Sequence, residues 1–88
     1  MTQVLNLKLT GTIDWGDNAT TSCAHTAVTQ ESHTYLNYGT YVIHVTSTGN
    51  SMIWGANNFN SNAIARLAVK YYELGRGWTY ESNAFANL

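Results

Sequence analysis

Charged side chains are scarce in this sequence, at 10% of the residues, and the formal net charge is −1. An average soluble protein carries roughly 25% charged residues. A run of phosphates is neutralised by clustered basic side chains, so nucleic acid is not an expected partner. A nearly neutral surface also does little to keep molecules apart, which favours self-association or a permanent partner. The basic residues are Lys8, Arg66, Lys70 and Arg76.

Cysteine pairs and long apolar runs are also missing. Cys23 stands alone, so no internal disulfide can form and the fold has to be held by packing. The ordinary role of such a residue is a small buried apolar side chain. No apolar stretch approaches the roughly 20 residues of a membrane span, so a membrane is not an expected partner either.

The N-terminal residues lack the basic and apolar regions of a secretion signal. If Met1 is the natural start, the protein is made and folded in a cytoplasm. If Met1 begins a shortened chain, the parent protein could still be exported.

The residues that are present are typical of β-structure. Hydrophobic residues make up 44% of the chain, with six Tyr and three Trp among many Thr, and these types favour a pleated, half-buried surface. At 88 residues the chain is long enough for one core and too short for two. We therefore predict a single antiparallel all-β domain over residues 1–88.

Alternation of apolar and polar residues predicts where the main strands lie. It runs from Val4 to Trp15 and again from Tyr41 to Thr46, and a short strand is expected at Met52 to Trp54. Gly11 falls on the apolar phase of the first run, so this run is one kinked strand or two strands. Gly16 to Asn18 predicts a turn in which Gly and Asn tolerate positive φ.

Weaker patterns cover the rest of the chain. Thr20 to Val28 is Thr-rich and fits an exposed edge strand, and a polar break comes next at Gln30 to Ser32. Ala63 to Leu74 has both helical and strand spacing, and its residue types favour a strand over Leu67 to Tyr72. Ser82 to Leu88 predicts about one helical turn.

Three short motifs occur in succession in the first half of the chain. They are Asp14-Trp15-Gly16-Asp17-Asn18, then His33-Thr34-Tyr35, then Gly39-Thr40-Tyr41 with alternating residues after it. Over residues 5–48 this order resembles the polycystic-kidney-disease-type (PKD) domain, whose motifs are W-G-D-G, H-x-Y and G-x-Y. Asn18 replaces the last Gly of the first motif, and Asn is a common substitute at positive φ.

The resemblance implies an immunoglobulin-like β-sandwich used for adhesion, spacing or assembly. His33 is then part of a packing motif, and Tyr35 is expected beside Trp15 with its hydroxyl bonded to backbone. Together with Tyr41, these two rings are expected to fill the core.

Residues 49–88 are similar to the segment found after such a domain in bacterial surface proteins and phage virion proteins. The similar stretches are Ile53 to Asn58 and Trp78 to Asn87. In those longer proteins the A-F-x-N segment opens leucine-rich-like repeats, which this sequence lacks. Asn83 to Leu88 is then a relic, a truncation or a tail that packs on a partner.

The function implied is non-enzymatic. Our leading hypothesis is a phage capsid decoration (cement) or fibre protein, located in the virion, whose partners are coat subunits or further copies of itself as a homo-oligomer. The alternative is a carbohydrate- or protein-binding adhesion module at a bacterial cell surface. A reading frame that ends at Leu88 favours the first, and a longer one favours the second.

Carboxylates in the first turn do not predict catalysis. Asp14 and Asp17 lie in a turn that supplies no shaped cleft for acid–base chemistry. We expect Asp17 to bind turn amides and Asp14 to face solvent. A calcium site that also uses Asn18 is a minor alternative.

Possible metal ligands and nucleophiles are scattered. Cys23, His25, His33 and His44 lack the tight, repeated pairs of a structural zinc site, and nothing orients His25 as a base for Cys23. We therefore expect no metal, no cofactor and no catalytic residue.

Large aromatic side chains are the strongest candidates for binding. A small domain hides only some of its three Trp, six Tyr and two Phe rings, and exposed Trp and Tyr commonly anchor interfaces. A protein interface is favoured, carbohydrate stacking is second, and a satellite core beneath the 56–62 loop fits as well. The interface candidates are Trp54, Phe59, Tyr72, Trp78, Tyr80 and Phe85.

Overall fold

The computed structural model describes residues 1–37, 39–49, 52–60, 62–71 and 78–88. Within these ranges the chain is all-β, as predicted, and contains no helix that could span a membrane. The strands are β1 (Thr2–Lys8), β2 (Thr10–Asp14), β3 (Thr20–Ala24), β4 (Thr29–Thr34), β5 (Tyr41–Ser47), β6 (Met52–Trp54), β7 (Ile64–Tyr71) and β8 (Trp78–Tyr80).

The strands form two four-stranded sheets packed as a sandwich. Sheet A has the order β4-β1-β6-β8, and sheet B has the order β3-β2-β5-β7. Most pairs are antiparallel, but β5 pairs with β7 and β6 pairs with β8 in parallel. The parallel pairs arise because the chain alternates between the sheets from β5 onward, so that each strand returns to its own sheet in the same direction.

The alternation from Val4 to Trp15 places one row of side chains in the core, as predicted. Leu5, Leu7, Ile13 and Trp15 are all fully buried. The run forms two strands, and the break falls at Leu9, where the chain passes from sheet A to sheet B. Gly11 lies inside β2 instead, with a φ of +152° and its backbone against that of Thr46.

β3 is an edge strand, as its Thr-rich sequence predicts, although it ends at Ala24. The predicted polar break after it is wrong, because Thr29–Thr34 forms the edge strand β4. Its pattern is hard to detect because the inward positions Glu31 and His33 are themselves polar. Both find hydrogen-bond partners in segments that flank β3: Glu31 with His25, just after the strand, and His33 with Asp17, in the turn before it.

The ambiguous segment Ala63 to Leu74 forms a strand in its described part, and residues 72–74 lie outside the described residues. Ile64–Tyr71 forms a strand paired along its length with β5. The helical turn predicted at Ser82 to Leu88 is wrong: the segment makes turns, with Ala84 N donating to Glu81 O at 3.1 Å. A parallel bridge between Asn58 and Ala86 then holds this tail on the preceding loop.

Two buried amide side chains fix that loop, residues 55–60, alongside β1. Gln3 donates to Asn58 O at 3.1 Å and accepts from Asn60 N at 3.0 Å. Asn57 accepts from Asn6 N through its Oδ1 and donates to Gly55 O at 3.1 Å. Beyond the end of β6 this loop forms no strand pairing with β1, and these amide side chains supply hydrogen bonds to the backbone in its place. The loop therefore has a defined position.

Candidate functional site

The turn between β2 and β3 is a hydrogen-bonded structure built by its own carboxylates. Asp14 Oδ1 accepts from Gly16 N at 2.9 Å, and Asp17 Oδ1 accepts from Ala19 N at 3.3 Å. Asn18 has a φ of 72°, as expected for the residue that replaces Gly. The carboxylates are therefore engaged by backbone amides, as predicted for Asp17, and Asp14 is exposed.

His33 and Tyr35 join this turn to sheet A. The His33 ring lies over Trp15, with centroids 5.2 Å apart, and its Nε2 is 2.7 Å from Asp17 Oδ2. Tyr35 is buried and donates from its hydroxyl to Trp15 O at 2.7 Å. Hydrogen bonding to His33 lowers the pKa of Asp17. Trp15 and Tyr35 are buried together as expected, but Tyr41, which was also expected in the core, is only half-buried, with its ring centroid 4.1 Å from that of Tyr35.

A second cluster joins the sheets near the other end of β3. The ligand-type atoms of Cys23, His25 and Glu31 lie within 4.8 Å of one another. His25 Nε2 is 3.2 Å from Glu31 Oε1, and His25 Nδ1 accepts from Leu9 N at 3.2 Å. An Nδ1 that accepts leaves the proton on Nε2, where it is donated to Glu31. His25 is thus a neutral bridge that also caps the amide at the sheet crossover.

The hydrogen bonds of His25 argue against a metal at this cluster. A metal on Nε2 would require the ring proton to move to Nδ1, where it would face the Leu9 N–H, so two donors would oppose each other. A metal on Nδ1 would leave the Leu9 amide without its acceptor. The residues present fit a hydrogen-bonded cluster better than a metal centre.

The thiol of Cys23 is buried, and its surroundings make it unreactive. Burial, and to a smaller extent the charge of Glu31, raise its pKa to about 11. Because the thiolate is the nucleophile and each pKa unit lowers its population about tenfold, alkylation by iodoacetamide at pH 8 should be about a hundredfold slower than for an ordinary thiol. Timed alkylation followed by mass spectrometry measures this rate, with the protein in guanidinium chloride as the control.

The raised pKa of Cys23 also predicts how stability changes with pH. The unfolded thiol, with its lower pKa, loses its proton first, so the stabilisation is complete below about pH 9 and is lost as pH rises toward about 11. The full loss is on the order of 2–3 kcal/mol. Denaturant unfolding at pH 8 and 10 should show the start of this loss. The Cys23→Ala variant should lose less stability, because there only other groups contribute, such as Tyr35, whose pKa is also raised by burial. Equal pH dependence in both proteins would contradict the assignment.

The aromatic interface candidates divide sharply by burial. Trp54 is 0% exposed and Phe59 is 2% exposed, so their prediction as interface residues is wrong, and both belong to the main core. Phe85 is half-buried and packs on Trp54 with ring centroids 5.3 Å apart. Tyr80 is 65% exposed. Tyr72 and the side chain of Trp78 lie outside the described residues.

A groove of about 530 Å³ opens where β4 ends and β5 begins, and we call it the loop-end groove. Its apolar wall includes Met1, Leu36 and Tyr41, and its amide wall consists of Asn37, Asn60 and Asn62. Leu36 is 93% exposed, and Met1 is 38% exposed. Among the described residues, no acidic or basic side chain lines the groove. The lining side chains offer apolar contacts and amide hydrogen bonds, and the Met1 α-amino group donates to Tyr35 O at 3.2 Å.

Sequence patterns did not point to this groove. Leu36 is a single apolar residue in a loop, and Asn60 belongs to a polar segment more than twenty positions away in the chain. The nearest signal was Tyr41 in the third motif, which was expected in the core. The two walls come together because Gln3 and Asn57 fix the 55–60 loop beside β1.

Comparisons with known proteins add no family to this description. No family model, no curated protein and no solved structure matches the chain.

Proposed function

We propose that this protein is a non-enzymatic module that packs against other protein subunits. The observation that carries the proposal is the loop-end groove, in which a 93% exposed leucine lies beside a partly apolar surface whose described side chains carry no charge. An exposed apolar residue beside a concave, uncharged surface is suited to a partner side chain. The partner we favour is a coat subunit, with the chain serving as a capsid decoration or fibre protein of a virion.

Two further features support packing over catalysis. The cluster that comes nearest to a nucleophilic site contains a thiol whose pKa is raised to about 11, so that it is protonated at neutral pH. The low net charge of −1 permits close packing of many copies. The resemblance of residues 5–48 to PKD domains agrees with such a role.

The same groove favours a saccharide as the second candidate ligand. Three asparagine amides line it, and each amide can both donate to and accept from a hydroxyl. Tyr41 contributes part of an aromatic ring to the wall. In this alternative the domain is an adhesion module of a bacterial surface protein.

Photo-crosslinking from the groove separates these functions. A crosslinking amino acid replaces Leu36, with a control at Thr26, an exposed residue beyond the opposite end of β4. Each protein is mixed with purified coat protein. Crosslinks to coat protein from position 36 alone support the proposal. Equal crosslinking from both positions, or none, contradicts it, and saccharide-induced NMR shifts at Tyr41 would then support the adhesion module.

A further inference from the structure

The outer edge of β3 differs from every other sheet edge in the described part of the chain. Unpaired edges invite other strands, and proteins usually guard them with charges, prolines or short strands. β4 carries the inward-pointing Glu31 and His33, β7 carries Arg66 and Lys70, and β8 has only three residues. β3 has the sequence TTSCA, which contains neither charge nor proline.

The hydrogen-bond phase of β3 shows which of its residues face outward. At its two ends, Trp15 N donates to Ala19 O at 3.0 Å, and His25 N donates to Leu9 O at 2.9 Å. Hydrogen-bonded and non-hydrogen-bonded pairs alternate in an antiparallel ladder, so with the β2–β3 register Thr21 and Cys23 bond to β2. The backbone N–H and C=O groups of Thr20, Ser22 and Ala24 therefore point away from the sheet.

We propose that this edge pairs with the β3 edge of a second copy of the chain, antiparallel, with the two-fold axis at Ser22. This pairing rests on the proposed function, because it takes a second copy of the chain as one of the protein partners. Ser22 then faces Ser22 of the second copy, and Thr20 faces its Ala24. These side chains are exposed, small and uncharged, so no like charges meet and the surface is complementary to itself.

Proline substitution tests the edge without removing a bond of the β2–β3 ladder. Ser22→Pro deletes an outward N–H, which is where an edge strand tolerates proline. Ser32→Pro is the matched control, because Tyr35 N donates to Met1 O and the β1–β4 register then makes Ser32 N–H point outward as well. By light scattering, the unmodified chain and Ser32→Pro should have twice the 9.7 kDa chain mass, and Ser22→Pro should have the single mass.

Charge substitutions test the axis and cover the case in which the proline variant does not fold. Ser22→Lys and Ser22→Glu should each be monomeric, because like charges would face each other across the axis, and an equimolar mixture should restore the double mass. A folded Ser22→Pro that still has the double mass overturns the proposal, as does a mixture that stays monomeric. A wild-type chain that is monomeric at all concentrations overturns it too.

Amide hydrogen exchange distinguishes this inference from the proposed function. Protection of Thr20, Ser22 and Ala24 amides should increase with protein concentration. Protection that appears only when coat protein is added to a monomeric chain overturns the second copy as the occupant. A monomer that crosslinks to coat protein through position 36 overturns the dimer and supports the proposed function. A β3-paired dimer without that crosslink supports the dimer and contradicts the proposed function.

Discussion

Replacement of Trp54 by alanine is expected to destabilise the fold by about 3–5 kcal/mol, the usual cost of removing a large buried ring. The indole is fully buried between the sheets and packs on Phe85. A domain of this size is stable by between about 4 and 13 kcal/mol, so the substitution should remove at least about a quarter of the stability and, at the lower end of that range, all of it. Urea unfolding followed by circular dichroism measures the loss.

Tyr80→Ala is the control for this substitution. Tyr80 is 65% exposed, so its loss should cost about 1 kcal/mol or less. If Trp54→Ala proved as stable as Tyr80→Ala, the burial of Trp54 would be contradicted. The contrast also bears on function, because a binding defect in Trp54→Ala would report unfolding and not a lost contact.

Substitution of Gly11 by alanine is expected to destabilise the fold by about 2–6 kcal/mol. A Cβ atom at this position would lie 1.9 Å from the backbone oxygen of Thr46, and the φ of +152° is one that L side chains rarely adopt. Backbone strain costs about 1–3 kcal/mol, and overpacking costs about 1–3 kcal/mol more. The backbones of Gly11 and Thr46 cannot move apart easily, because they belong to the paired strands β2 and β5.

Gly39→Ala provides the comparison for Gly11→Ala. A Cβ atom at Gly39 would lie 3.3 Å from the side chain of Tyr41, which a small movement of the ring relieves. We expect a change of less than about 1 kcal/mol. Thermal unfolding of the two variants should differ by tens of degrees, since 1 kcal/mol corresponds to about 4–8 °C in a small domain. Similar melting temperatures would contradict the close approach of β2 and β5.

Local patterns predicted the elements whose two faces differ. Leu5 and Leu7 in β1, and Ile43 and Val45 in β5, alternate with polar residues and are buried as expected. Period-two alternation is the direct result of a strand with one buried face and one solvent-exposed face. The motif turn was equally predictable, since Asp17, Asn18 and Gly16 act on neighbouring backbone. β4 was not predicted because its inward residues Glu31 and His33 are polar and are paired with side chains in the segments that flank β3.

The packing of Trp15, His33 and Tyr35 was expected from the resemblance of three motifs to those of PKD domains. Residue types and their spacing were sufficient to predict an all-β domain with one core and its alternating strands. These features depend on local side-chain chemistry and on the period of the apolar residues. The three-dimensional arrangement was needed to show that Trp54 is core, that Leu36 and Asn60 line one groove, and that β3 has an uncharged open edge. Those properties depend on which distant segments become neighbours, and sheet pairing between distant strands leaves no periodic signal in a single chain.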